Sequence, residues 1–417
     1  MKNLKRPTNP GLRLLPAADN SLAWMVMVMV AVLATRSVEA QTYKVLYMFP
    51  GGAHGSSPTY QLVRIGEDLY GTAIGGASGD GVVFKLAEDG RETIQHSFSG
   101  DDGDSPAGLV SDAAGDLYGL TQTGGNVGCN VYAEPNGCGV IFEITRSGEF
   151  SVLYSFSGDG GANPQGRLLL DAKGNLYGAA GGGGQSPSCP GPEYEQGCGT
   201  IFELARGAGT WNETVLYNFA GGTAGFDPNG SLISFAGKLF GTAANGNSQA
   251  CRNELCGTIF ELAPGKDGWT EKILHTFKGG NGAIAESLVA DPQGNLYGTT
   301  FSGGASGYGT IFKIDPQGQK TILHTFDGKD GANPSAGLVR DSSGHLFGTA
   351  AAGGSSNAGT VFRLDPANHL TVLHDFKGGK TDGASPYGAL LLAGETLYGT
   401  TAGGGHHNLG TVFEITK

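Results

Sequence analysis

Residues 291–314, DPQGNLYGTTFSGGASGYGTIFKI, decide how the whole chain is read, because the chain repeats them from one end to the other. The tripeptide Leu296-Tyr297-Gly298 returns as Leu69-Tyr70-Gly71, Leu117-Tyr118-Gly119, Leu176-Tyr177-Gly178, Leu239-Phe240-Gly241, Leu346-Phe347-Gly348 and Leu397-Tyr398-Gly399. These seven copies put the first and last leucines 328 residues apart over six intervals. An average period of about 55 is that of a propeller, solenoid or array, so the fold is read from the repeat.

Each unit holds four short segments of strand character. In the quoted unit they are residues 287–290 (SLVA), 295–300 (NLYGTT), 309–314 (GTIFKI) and 320–326 (KTILHTF). All are rich in β-branched and aromatic residues and are bounded by Gly, Asp, Asn or Pro; no helical period of matching length competes. Sequential antiparallel pairing predicts an all-β chain, a seven-bladed β-propeller of four-stranded antiparallel blades. The chain ends sharpen this expectation. The last unit stops at residues 410–415 (GTVFEI), a third strand, while residues 43–49 (YKVLYMF) match the fourth strands at 151–156, 214–219 and 371–376. Pairing the N-terminal strand with the last blade closes the ring and removes the sheet edge that an open array leaves exposed. A solenoid needs capping repeats of different character, and none is visible.

The turns agree with short hairpins. Asp112, Asp171, Asp291 and Asp341 stand between first and second strands, where Asp caps its own turn. In the fourth strand His96, His275, His324 and His374 occupy the slot that holds Tyr47, Tyr154 and Tyr217 in other units. Interchange with Tyr points to packing, since metal ligation needs several ligands converging on one point. The 75 glycines among 417 residues read as turn markers, and 39% hydrophobic residues with ordered repetition point to a packed fold.

Lys2, Lys5, Arg6 and Arg13 precede an apolar run at residues 22–34, and Val38-Glu39-Ala40 follow it. The run is too short to span a bilayer, so residues 1–40 read as a secretory signal peptide cut after Ala40, leaving 41–417 as one propeller domain. A retained anchor is the competing reading. No second apolar run of membrane length follows, so the mature chain is expected to have no membrane span. Removing the leader takes the formal charge from −12 to −15, and so acidic a surface argues against nucleic acid or anionic lipid as a partner.

Antiparallel order places the loops between blades, and those between second and third strands, at one end of the ring, here called the top. All six cysteines fall in the second-to-third-strand loops of units two, three and four. Their equivalent positions, with export, predict Cys129–Cys138, Cys189–Cys198 and Cys251–Cys256 disulfides rather than a zinc site. The stapled loops should form a wall decorated by Tyr132, Glu134, Glu193, Tyr194, Glu195, Arg252 and Glu254, with Tyr132 and Tyr194 as candidate contacts to sugar or peptide. Loop solubility accounts for the same residues without a ligand.

Residues just before each first-strand Leu should line the mouth of the central channel. Most are Gly, Ala or Ser; Tyr60, Gln61, Arg167 and Glu286 depart, and Ile284 replaces the usual Pro in unit five. Large polar groups there mark a binding site or a plug. Asp101, Asp102 and Asp104 carry oxygens that calcium could use, but their spacing is not that of an EF-hand and turn solvation explains them. Trp211 and Trp269 fall in equivalent bottom-face hairpins and are expected to pack.

The pattern L-Y-G-T-T-x-x-G-G, then G-T-[VI]-F and V-L-x-x-F, resembles the GloVer tandem-repeat family of exported bacterial proteins across nearly the whole mature chain. The resemblance implies export and repeat architecture, and in some members a C-terminal surface-anchoring segment. This chain departs there: it ends at Lys417 directly after a strand with no apolar tail, which puts anchoring in doubt. No activity comes with the resemblance. The sequence holds no P-loop, H-E-x-x-H or G-x-S-x-G motif. The leading expectation is a monomeric, non-enzymatic propeller, secreted or periplasmic/cell-surface, that binds a glycan or protein through its top face without cofactor or metal. The alternative is a lyase or hydrolase at the channel mouth, with Glu286 as acid or base and Arg167 stabilising an anion. A structural envelope protein is the third reading.

Overall fold

The computed structural model describes residues 41–416 apart from 126, 130–136, 187, 188, 190–196, 208, 247–256, 281 and 286. The seven repeats form seven four-stranded antiparallel blades of a β-propeller. Blade 1 runs outward through Val63–Ile65, Asp68–Ala73, Val82–Leu86 and Glu92–Ser97. Blade 7 takes Leu391–Ala393, Thr396–Thr401 and Thr411–Thr416 from the C-terminal end and Thr42–Met48 from the other, with Thr42 opposite Thr416 and Met48 opposite Thr411. The ring therefore closes as the two chain ends suggested. Between first and second strands the aspartates cap their turns: Asp112 Oδ1 accepts the N–H groups of Ala114, Gly115 and Asp116, and Asp291 Oδ1 those of Gln293 and Asn295.

The innermost strand differs from the single segment expected. In blade 5 it comes in two pieces, Ala283–Ala285 and Val289–Ala290, both paired with Leu296–Ser302. Ser287 and Leu288, between the pieces, lie outside the ladder and line the axial cavity. This register also corrects the position of the missing proline: Ala285 lies opposite Thr300 as Pro228 lies opposite Ala243 and Pro106 opposite Thr121, so Ala285, not Ile284, stands in its place.

A repeated aromatic contact holds the blades together. The Phe that ends each outer strand meets the Phe of the next blade's third strand edge-on, at 5.1–5.5 Å between ring centres, across all seven seams from Phe49–Phe84 to Phe376–Phe413. The third-strand ring also lies over the Gly of the LYG tripeptide. A Cβ on Gly298 would sit 2.7 Å from Phe312 Cζ, and one on Gly178 2.3 Å from Phe202 Cζ. The expectation that glycine marks turns fails here: these seven glycines lie within strands, and space for a ring is what they supply.

The Thr after LYG adds a second staple between blades. Thr72 Oγ1 donates to the Ala107 carbonyl, Thr299 to Ala336, Thr349 to Gly388 and Thr400 to Tyr60, each on the following blade. The last of these crosses the closure seam.

The Tyr/His slot makes a third contact. Tyr154 and Tyr217 donate their hydroxyls toward Glu213 and Glu271 at the start of the next blade's outer strand, and Tyr47 stands against Glu92. In three of the four slots that hold His, Nε2 bonds an aspartate of its own top loop: His96 with Asp102 (2.9 Å), His324 with Asp330 (2.7 Å) and His374 with Asp382 (3.2 Å). His96 stacks on Phe150 and His374 on Tyr43, both at 3.6 Å. Packing, as expected, is what the slot is for.

Candidate functional site: the mouth of the central channel

Three tiers of side chains line a cavity of about 800 Å³ at the axis. The tiers follow from the repeat, because each blade delivers equivalent residues to equivalent heights. At the rim stand residues that follow the inter-blade proline, namely Thr59, Gln165, Asn229, Ser335 and Tyr387. At the throat stand residues preceding the first-strand Leu: Gln61, Gly108, Arg167, Ser231, Ser287, Gly337 and Ala389. Below them the wall turns aliphatic with Ile233, Val289, Val339 and Leu391, and Arg340 lies farther along.

Three of the sequence candidates meet in this mouth. Arg167 Nη1 donates to Gln61 Oε1 at 2.5 Å, and Gln61 Nε2 donates to the Leu390 carbonyl at 2.6 Å, which fixes which end of the amide faces the guanidinium. Tyr60 accepts from Gln122 Nε2 at 2.9 Å through its hydroxyl. Blades 3, 4 and 5 are tied at the throat by Arg167 N–H to Ser231 Oγ (3.0 Å) and Ser231 N–H to Ser287 Oγ (3.1 Å). Gly108 makes the crossing from blade 3 to blade 1 feasible, since a Cβ there would lie 2.9 Å from Arg167 Cβ.

Arg167 keeps part of its surface open to the channel, yet protein surrounds it on nearly every side. Loss of hydration lowers its pKa from the usual value. It remains a cation near neutral pH, because a guanidinium starts above about 12. Beside the rim, burial pushes the Asp227 carboxyl up to about 6, against a hydrogen bond from Asn245 Nδ2 at 3.2 Å. Asn229 Oδ1 and Ser335 Oγ are buried on the cavity wall and have no hydrogen-bond partner among the described residues.

Glu286, Tyr132 and Tyr194 lie outside the described residues, as do Glu134, Glu193, Glu195, Arg252, Glu254 and the Cys251–Cys256 pair. The other two pairs are disulfides, Cys129–Cys138 and Cys189–Cys198, with Cα atoms 5.1 and 5.3 Å apart. Each second cysteine also docks the next blade, its carbonyl accepting the N–H of Asn163 or Asp227 at 3.0 Å. Asp102 and Asp104 are engaged within the protein: Asp102 accepts from Ser99 N–H and pairs with His96, and Asp104 accepts from Ser105 and Thr123 hydroxyls. Trp211 packs edge-on against Tyr118 and beneath Arg206. The sequence reading missed Gln122, Gln165, Asn229, Ser335, Tyr387 and Arg340. For Gln165, Asn229, Ser335 and Tyr387 the signal was the position after the inter-blade proline.

The model of the Gloeobacter/Verrucomicrobia repeat matches residues 34–254 and 247–417. The chain belongs to this repeat family. In this chain each LYG unit of the matched repeat forms one propeller blade. No protein of curated function matches the sequence. Solved structures similar to it include a gluconolactonase from Xanthomonas campestris, at 14% identity and TM-score 0.46 over 82% of this chain and 93% of that one. A candidate 6-phosphogluconolactonase from Bacteroides uniformis gives 16% and 0.47 over 78% and 85%. A protein of unknown function from Dyadobacter fermentans gives 16% and 0.47 over 74% and 94%. Likeness at this level brings no activity to this chain.

Proposed function

We propose that the protein is an exported, non-enzymatic propeller whose channel mouth binds a glycan. The observation that carries this reading is the convergence of hydroxyl and amide groups from consecutive blades on one concave mouth. Gln165 and the Asn229 amide N–H groups at the rim, with Gln61, Ser231 and Ser287 below, offer donors and acceptors of the kind sugar hydroxyls use. Tyr387, 42% exposed, supplies an aromatic face beside them. A cavity of about 800 Å³ suits a short oligosaccharide better than the broad surface of a folded partner. The disulfide-closed loops of the second and third units are the candidate for a protein partner. Glycan-array binding of the purified protein tests the reading: glycans retained by the wild type and lost on Asn229→Ala or Tyr387→Ala support it, and an array without retained glycans overturns it.

The lyase or hydrolase reading keeps one supporting observation, the cation Arg167 at the throat. It predicts turnover of a bound glycan that Glu286→Gln abolishes; binding without turnover favours the first reading. Export rests on the leader-like residues 1–40, two disulfides among the described residues and the family. Among the described residues no helix is long and apolar enough to cross a membrane. N-terminal sequencing of the protein recovered outside the cytoplasm is expected to start at Gln41. Light scattering is expected to give the mass of one chain.

A further inference from the structure

The described lining of the channel holds two charged side chains, Arg167 and Arg340, and no carboxylate, in a chain whose formal charge is −12. A guanidinium carries five N–H donors in a planar fork. Arg167 directs one of them to Gln61 Oε1, and its backbone N–H goes to Ser231 Oγ, so its stem is fixed while the rest of the fork has no protein acceptor among the described residues. Protein around it has stripped much of its hydration, which makes an incoming anion a stronger partner than it would be at an open surface. Asn229 and Ser335, from the fourth and sixth units, line the same cavity, and Asn229 Oδ1 and Ser335 Oγ have no hydrogen-bond partner among the described residues.

We infer that the channel mouth recognises the carboxylate of an acidic sugar, with Arg167 as the clamp. This rests on the glycan reading above and narrows it. A single planar fork fits a carboxylate through two parallel hydrogen bonds, and the neighbouring hydroxyl and amide groups fit the rest of a sugar ring. Gly108 and Gly337 stand at the throat where a Cβ would collide with Arg167 and with Ser287, at 2.9 Å in each case.

Calorimetric titration with glucuronate, oligomeric galacturonate and neutral glucose tests this. The expected result is that glucuronate or its polymeric counterpart binds at least tenfold more tightly than glucose, that added salt weakens this binding, and that Arg167→Gln removes the preference. Free monomer and chain end are separated by comparing the two acidic probes. Arg167→Lys, which keeps the charge and loses the fork, should retain only part of the preference, and the salt series on the wild type stands even if Arg167→Gln does not fold. Neutral glycans binding as well as acidic ones overturns the inference and leaves the glycan reading intact; absence of binding by any glycan overturns both. Acidic binding that appears only in Glu286→Gln also overturns it, since the guanidinium would then be neutralised by the chain itself. Capture of a peptide carboxylate in place of any sugar acid overturns the choice of ligand.

Discussion

Gly298 shows how little room the repeat leaves at the glycine of its LYG tripeptide. Its Cα has Phe312 Cζ and Leu288 Cδ2 within 2.7 and 3.1 Å of where a Cβ would stand, and Phe312 is fully buried between blades. Gly298→Ala should therefore overpack the seam and cost about 1–3 kcal/mol in urea unfolding. Gly280, with no atom near its Cβ position, is the control expected to change little on substitution by Ala. Asp382 is a second informative residue. Burial by itself would raise its pKa, but hydrogen bonds from His374, the Lys377 N–H and Tyr43 hold it at about 2. A carboxyl depressed in the folded state adds stability that is present above its unfolded pKa of about 3.9 and is lost as pH falls toward the folded value. Asp382→Asn should thus lower Tm near neutral pH, with the gap from wild type narrowing between about pH 4 and pH 2. A constant gap across that range would mean that the charge is not what Asp382 contributes.

At the scale of the element, the seam between blades rests on which residue faces the Tyr/His slot. Tyr154 and Tyr217 meet Glu213 and Glu271 at the start of the neighbouring outer strand, His96 and His374 meet Phe150 and Tyr43, and His275 meets Lys320. The last pairing is the poorest: burial and the cations Lys320 and Lys278 push His275 down to about 4, and its Nε2 is buried without a partner among the described residues. The double variant His275→Tyr with Lys320→Glu rebuilds the Tyr–Glu pair of the other seams. It should be more stable than its two single variants predict by addition, with a coupling of about 0.5–3 kcal/mol in a double-mutant cycle. Part of this was legible in the sequence. An Asp four residues after the outer-strand Phe accompanies two of the four His slots, Phe98 with Asp102 and Phe326 with Asp330, and is missing behind Tyr154 and Tyr217. Strand order and ring closure were likewise legible, because period and end-matching are properties of the chain itself. The two-piece inner strand was not, since its upper piece pairs only through residues that read as turn. With it went the rim residues Asn229, Ser335 and Tyr387, whose common height depends on that pairing.

The molecule as a whole is a ring that depends on its closure. Thr42–Met48 supplies the outer strand of blade 7, and Phe49 packs into blade 1 against Phe84 at 5.2 Å. Deleting residues 42–49 should leave blade 7 with an unpaired edge and replace a single unfolding transition by a broad one in calorimetry. Sevenfold repetition supplies the scaffold, and the few departures from it at the axis supply the site. Tyr60, Gln61 and Arg167 stand where most other blades place Ala, Ser or Gly. The most direct measurement of that division is glycan binding by a variant carrying Tyr60→Ala, Gln61→Ser and Arg167→Ser, residues the repeat already uses at these heights. A folded protein that has lost the wild type's glycan binding is the predicted result; a folded protein that binds as the wild type does would contradict it.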